Sequence, residues 1–369
     1  PDDPRRAEAF FLLGEARAGM GEWDGAIAAY EAYLALAGDT LADVVLERIA
    51  DAHRAMGRSD EALVAYEAAL MASSDLATSR RLHRAMAEVL WERGDYEEAL
   101  AQYRALRRLA RTSAQRAEAE LRQAEVLQAA GRSEEAEARF RAAMDAEPRS
   151  VHAYAALKAL LSMGAEVDDY RRGVIDYHNG AYWPALEAFR RHMAADPEGY
   201  KPEAHDYIAR TYLALGLPDL AAREWLRLIE GFPRSDIWGR AWLNRAEALH
   251  KGGQAGAARQ LLLRFARENP EHPLAPEALA LAAQWAERAG DYETAAEEYA
   301  ALQRRYPRSE QASSALFQAA LNRYRLQEYA QAIALWQMLL EEYDDYRPQS
   351  TLFWLGKTWL AAGEREEAG

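Results

Sequence analysis

Residues 80–109 read RRLHRAMAEVLWERGDYEEALAQYRALRRL, and Gly94 divides the stretch into two amphipathic runs. The spacing predicts helix A over Arg80–Arg93 and helix B over Tyr96–Leu109. A glycine between them ends helix A, because a left-handed C-cap costs glycine almost nothing. Ala87 and Ala99 are small enough to let the two axes approach, and Tyr103 is large enough to fill what lies beyond.

The same pattern recurs in both directions. Gly21, Gly57, Gly94, Gly131, Gly180, Gly216, Gly253, Gly290 and Gly363 stand at intervals of 36 or 37 residues, apart from one interval of 49 and one position held by Gln327. Five residues after each comes alanine, from Ala26 to Ala368, and seven before each comes glycine or alanine. Nine after stands an aromatic, with Leu262 as the exception. Pro148, Pro197, Pro233, Pro270 and Pro307 follow helix B and stop it. Three of them continue as Pro-Arg-Ser, which offers Ser150, Ser235 and Ser309 as N-caps. Repetition at this period means an all-α stack of helix pairs in which each unit touches only its neighbours.

At these positions the chain resembles a tetratricopeptide repeat protein, with a period slightly longer than the usual ~34 residues. The resemblance implies an α-solenoid, a right-handed superhelix of antiparallel helix pairs whose A helices line a concave groove. About ten repeats are expected, with one inserted helix at Val151–Met163 capped by Ser150 and ended by Gly164. The expected organisation is repeats one to four over 1–149, the insert and linker over 150–167, and repeats five to ten over 168–369. The insert reads either as the lone helix of a further repeat or as a wedge that redirects the stack, and the wedge is the preferred expectation. Repeat ten stops within helix B, and its helix A (Ser350–Ala362) is apolar on too many sides for a solenoid end. The natural chain is therefore expected to continue past Gly369.

Composition narrows the partners. A net charge of −14 disfavours nucleic acid, whose phosphates need a basic face. No run of about 18 apolar residues suggests membrane insertion. Cysteine is absent, which removes thiolate chemistry and cysteine-held zinc. The histidines are scattered without metal-ligand spacing, and Gly356-Lys357-Thr358 lacks the glycine that a phosphate loop needs. No catalytic, cofactor or metal residue is predicted.

Two surfaces are candidates for binding. The residue after the small position is acidic in the first four repeats, Glu15, Asp51, Glu88 and Glu125, and stacking would align these into a stripe suited to a basic partner. Towards the other end Phe317, Tyr324, Phe353 and Lys357, with Tyr170 and Tyr177 of repeat five, suggest an aromatic interaction surface.

A narrower resemblance rests on YPRSEQASSALFQAALNRYRLQEYAQAIALWQMLLEEY (306–343), STLFWLGKTWLAAGEREEA (350–368) and YHNGAYWPALEAF (177–189). These resemble the helical region that precedes the catalytic domain of soluble lytic murein transglycosylases. That implies a bacterial periplasmic or cell-envelope protein acting on peptidoglycan through a downstream domain. The family's catalytic Glu-Ser does not occur, so no catalytic residue carries over. The other expectation is a standalone adaptor, cytoplasmic or otherwise, holding a protein or peptide partner in its groove.

Overall fold

The structure is a computed structural model and describes residues 5–364. Among the described residues all regular structure is α-helical. Two compact units divide between Ala181 and Tyr182. The first holds α1 (Arg5–Gly19), α2 (Trp23–Ala37), α3 (Ala42–Ala55), α4 (Ser59–Ala72), α5 (Leu76–Arg93), α6 (Tyr96–Arg108), α7 (Ser113–Ala129), α8 (Ser133–Ala146), α9 (Val151–Ser162) and α10 (Asp169–His178). The second holds α11 (Tyr182–Ala195), α12 (Glu203–Ala214), α13 (Pro218–Gly231), α14 (Trp238–Lys251) and α15 (Ala255–Glu268). It continues through α16 (Ala275–Arg288), α17 (Tyr292–Arg305), α18 (Ala312–Arg325), α19 (Tyr329–Glu342) and α20 (Pro348–Ala362).

Every phased glycine from Gly21 to Gly363 sits in the left-handed region, and Gln327 joins them at φ 63°. The turn geometry thus persists where the glycine does not. A Cβ in that region costs about 1 kcal/mol. Gln327→Gly is therefore expected to raise stability by up to about 1 kcal/mol, less what glycine adds to the entropy of the unfolded chain. A urea midpoint that falls instead would show that the glutamine side chain holds the turn.

The phased small residues and alanines form the helix crossings. Ala50, Ala87, Ala124, Ala209, Ala246, Ala283 and Ala320 on A helices are fully buried, as is each helix-B alanine from Ala26 to Ala332. Ala368 lies outside the described residues. Close approach is what these positions require. A Cβ added to Gly14 would lie 2.4 Å from Tyr30 Cε1. The aromatics Tyr30, Tyr66, Tyr103, Phe140, Phe189, Trp225, Tyr299 and Trp336 are also buried, and Leu262 fills the same place in its repeat.

Helix ends follow the sequence with three corrections. The smallest is that α20 starts at Pro348, two residues before the expected Ser350, because proline suits the first helical position. Helix B stops two residues before each phased proline, at Ala146, Ala195, Gly231, Glu268 and Arg305. Helix α5 starts four residues earlier than the spacing predicts, because Asp75 accepts from Thr78 N at 2.8 Å and caps it there. Of the three Pro-Arg-Ser serines only Ser150 is an N-cap, accepting from Ala153 N at 3.0 Å. At Ser235 and Ser309 the serine carbonyl instead accepts from Trp238 N and Ala312 N in a tight turn, and the helix begins beyond it.

The predicted inserted helix is α9, ended at Gly164 (φ 74°), and Asp168 caps α10 by accepting from Arg171 N at 2.8 Å. Helix α9 packs on α8 and also reaches α7, the place that a following helix A takes.

Polar ties repeat at one period. Arg58 bonds Asp24 at 2.6 Å, Arg54 bonds Glu88 at 3.0 Å, Arg240 bonds Glu277 at 2.6 Å and Arg259 bonds Glu298 at 2.5 Å. Tyr306 and Tyr343 donate to the carbonyls of Pro270 and Pro307, at 3.0 and 2.7 Å. The exposed pairs among these contribute under about 1 kcal/mol each, so the buried crossings and aromatics carry most of the fold.

Candidate binding site

In the first unit the acidic residues after the small positions are half-exposed and already engaged. Tyr30 donates to Glu15 at 2.7 Å, and Arg48 of the next repeat bonds the same carboxylate at 3.1 Å. Tyr66 donates to Asp51 at 2.6 Å, while Arg48 lies 3.8 Å from it. Glu88 is held by Arg54, and Glu125 by Arg122 at 2.8 Å. The stripe is a row of carboxylates interleaved with arginines rather than bare negative charge. A basic partner has to compete with Arg48, Arg54 and Arg122. Burial, with a secondary contribution from Glu47, pushes the Asp51 carboxyl above its usual range.

The phased tyrosines feel the same surroundings. Burial and the adjoining carboxylates hold the Tyr30, Tyr66 and Tyr299 phenols well above 10.0. Burial and Glu88 push Tyr103 up to about 12. In the unfolded chain these phenols ionise near 10.0, whereas the folded ones stay protonated. Folded pKa values above unfolded ones mean a contribution intact below the unfolded value and lost as pH rises towards the folded ones. Tyrosinate absorbance and helical circular dichroism followed from about pH 9 to about pH 12 should change together. Tyrosinate forming for these residues while helicity is retained would contradict their burial.

In the second unit the aromatic residues separate into covered and open. Phe317 is only 7 % exposed and packs edge-on against Trp336 at 4.9 Å, so it belongs to the core. Phe353, three residues before its own small position as Phe317 is, remains 64 % exposed. Tyr324 packs against Trp354 at 5.4 Å, and Lys357 Nζ stands 4.6 Å over the Trp354 ring and 5.7 Å over Tyr324. Leu352 and Leu360 extend the exposed apolar face of α20. Tyr170 and Tyr177 lie on α10 in the first unit, with Tyr177 against His178 at 5.1 Å.

One buried polar group was not foreseen. His205 (3 % exposed) stands between Tyr200 and Glu224 (4 % exposed). A carboxylate only accepts, so Nδ1–H donates to Glu224 at 2.5 Å and Nε2 receives the Tyr200 hydroxyl at 2.9 Å. Arg227 closes the other side of Glu224 at 2.7 Å. Nearby, Trp225 Nε1 donates to Asp206 at 2.9 Å. His205 to Glu224 and Asp206 to Trp225 are both 19 apart in sequence, as is the pair His83 and Gln102. That interval links helix A to helix B within one pair, and it is the signal that could have found the group. Among the described residues no cluster of three or more metal-ligating side chains occurs, and no helix is long and apolar enough to cross a membrane.

Family models described as tetratricopeptide repeat match residues 48–119 and 207–273, and also 8–40, 277–309 and 314–346. No curated protein matches the chain. Among solved structures, a tetratricopeptide repeat protein from Parabacteroides merdae shares 16% identity over 75% of this chain and 99% of its own, with a TM-score of 0.35. A MamA protein shares 19% identity over 48% of this chain and 93% of its own, with a TM-score of 0.37. Likeness at this level carries nothing about partner or activity.

Proposed function

The chain is a tetratricopeptide repeat protein, and on that premise we propose that it is a non-catalytic scaffold whose helix-A faces hold a segment of another protein. One observation carries the reading. The alanines that recur at the helix crossings are buried, whereas the residue after the small position differs along the chain. It is Glu15, Asp51, Glu88, Glu125 and then Val174 in the first unit, and Arg210, Glu247, Gln284, Leu321 and Lys357 in the second. A fold that keeps its packing constant and varies one face is suited to recognition.

The acidic stripe favours a basic segment in the first unit, and the open side of Phe353, Tyr324 and Lys357 favours an aromatic or apolar contact in the second. Changing Glu15, Asp51, Glu88 and Glu125 together to lysine should abolish crosslinking of the native partner to the first unit. Association should also weaken with salt in the unchanged protein. Identical crosslinks in both proteins would remove the stripe from the binding surface.

The narrower reading is the helical part of a cell-envelope lytic transglycosylase. It rests on Leu352–Lys357 and on the run around Trp336. Co-sedimentation with purified peptidoglycan sacculi tests it, and a chain that stays in the supernatant would have no direct role in holding glycan.

A further inference from the structure

A cavity of about 390 Å³ opens in the first unit, lined by Glu88, Trp91, Glu92, Tyr103 and Arg122. In the two preceding repeats the equivalent tyrosine and acid are joined by a hydrogen bond. There the phased tyrosine, Tyr30 or Tyr66, donates to the acid after the small residue, Glu15 or Asp51, at 2.7 and 2.6 Å. In the third repeat that bond is missing. Glu88 turns instead to Arg54, whose Nη1 bonds Glu88 Oε2 at 3.0 Å and whose Nη2 bonds Glu92 Oε1 at 2.7 Å. Tyr103 is only 1 % exposed, yet its hydroxyl lines the cavity with no hydrogen-bond partner. The hydroxyl faces the cavity, so a ligand that bonds it exchanges water for a protein–ligand hydrogen bond worth about 1 kcal/mol.

The remaining chemistry selects a cation. Glu88 Oε1 and Glu92 Oε2 are left unengaged by Arg54. Trp91 supplies an aromatic wall, which attracts a desolvated cation through its ring quadrupole. Arg122 is the single basic residue of the lining, and Glu125 holds it at 2.8 Å. We propose that this cavity receives a lysine or arginine side chain of a partner polypeptide, its cationic head against Glu88 Oε1 and Glu92 Oε2, the oxygens Arg54 leaves open, and its stem along Trp91. This rests on the scaffold reading and specifies its chemistry at one repeat.

The test uses the acetylated, amidated pentapeptide Gly-Gly-Arg-Gly-Gly, its lysine and citrulline versions, and the indole N–H resonance of Trp91 assigned with Trp91→Phe. The arginine and lysine peptides should shift that resonance saturably. Citrulline, the same shape without charge, should bind at least about tenfold more weakly, a difference of about 1.4 kcal/mol. Glu88→Gln with Glu92→Gln should weaken the arginine peptide to the citrulline level, and Glu277→Gln in the second unit should leave it unchanged. Thermal melts of each variant establish that the fold is retained, and Tyr103→Phe, which keeps the buried ring, gives a second variant with weakened binding. Equal binding of citrulline, or no saturable shift up to about 10 mM peptide, would overturn the proposal. If that happened while the partner still crosslinked to the first unit, the scaffold reading would stand without this pocket.

Discussion

Replacing Trp225 by alanine is expected to lower the stability of the second unit by about 4 kcal/mol. Trp225 is among the largest fully buried side chains, and its indole N–H donates to Asp206 at 2.9 Å. Truncation removes the transfer free energy of the ring and leaves a cavity between neighbouring pairs, which rigid helices close only in part. Asp206 keeps Arg210 at 2.7 Å, so the lost hydrogen bond is the smaller share. The companion is Trp336, equally buried, whose indole N–H has no partner. Trp336→Phe should therefore cost less than Trp225→Phe, because it also removes an unsatisfied donor. Urea unfolding followed by circular dichroism reads both. A Trp225→Ala midpoint near that of the unchanged protein would mean that the phased aromatic is not a core element.

The second large effect is expected at His205. His205→Phe keeps a ring beside Tyr200 and Phe232, with which His205 now packs at 5.4 and 5.9 Å. It removes both hydrogen bonds, leaving the buried Glu224 carboxylate with Arg227 alone and the Tyr200 hydroxyl without an acceptor. Removing a hydrogen-bond partner from a buried charged acceptor costs about 3 kcal/mol, most of it from the charge left less well satisfied. Adding Glu224→Met should recover most of the loss, since a well-packed apolar pair often matches a buried ionic one. If the single and double variants unfold at the same urea concentration, the stranded carboxylate is not the cause.

The backbone plan was legible because its determinants are single residues at fixed intervals. Gly94 predicted a left-handed turn, and Gln327 keeps that turn at φ 63° without the glycine. Ala87 and Ala99 predicted close crossings and are both fully buried. What a side chain meets was not legible, because it depends on which neighbour stacks against it. Phe317 and Phe353 share one register, yet Phe317 lies under Trp336 and Tyr346 while Phe353 stays open. The acidic row was visible in Glu15, Asp51, Glu88 and Glu125. Its arginine partners were not, because Arg48 reaches back 33 residues to Glu15 and Arg54 reaches forward 34 to Glu88. His205 looked like one scattered histidine until helix pairing placed it beside Glu224. The serine caps failed at Ser235 and Ser309 because a backbone turn satisfied the helix start first.

The ties between Tyr306 and Pro270 and between Tyr343 and Pro307 span the same 36 residues. Consider splicing out residues 275–311, which join Leu274 directly to Ala312. Tyr343 then arrives opposite Pro270, where Tyr306 had been, and α18 meets α15 with alanines and an aromatic in the positions that α16 and α17 vacated. The tyrosine tie and the small-residue crossings carry over, while Arg240 and Arg259 meet Ser314 and Leu335 in place of Glu277 and Glu298, so length is adjustable at the cost of two ion pairs per excised module.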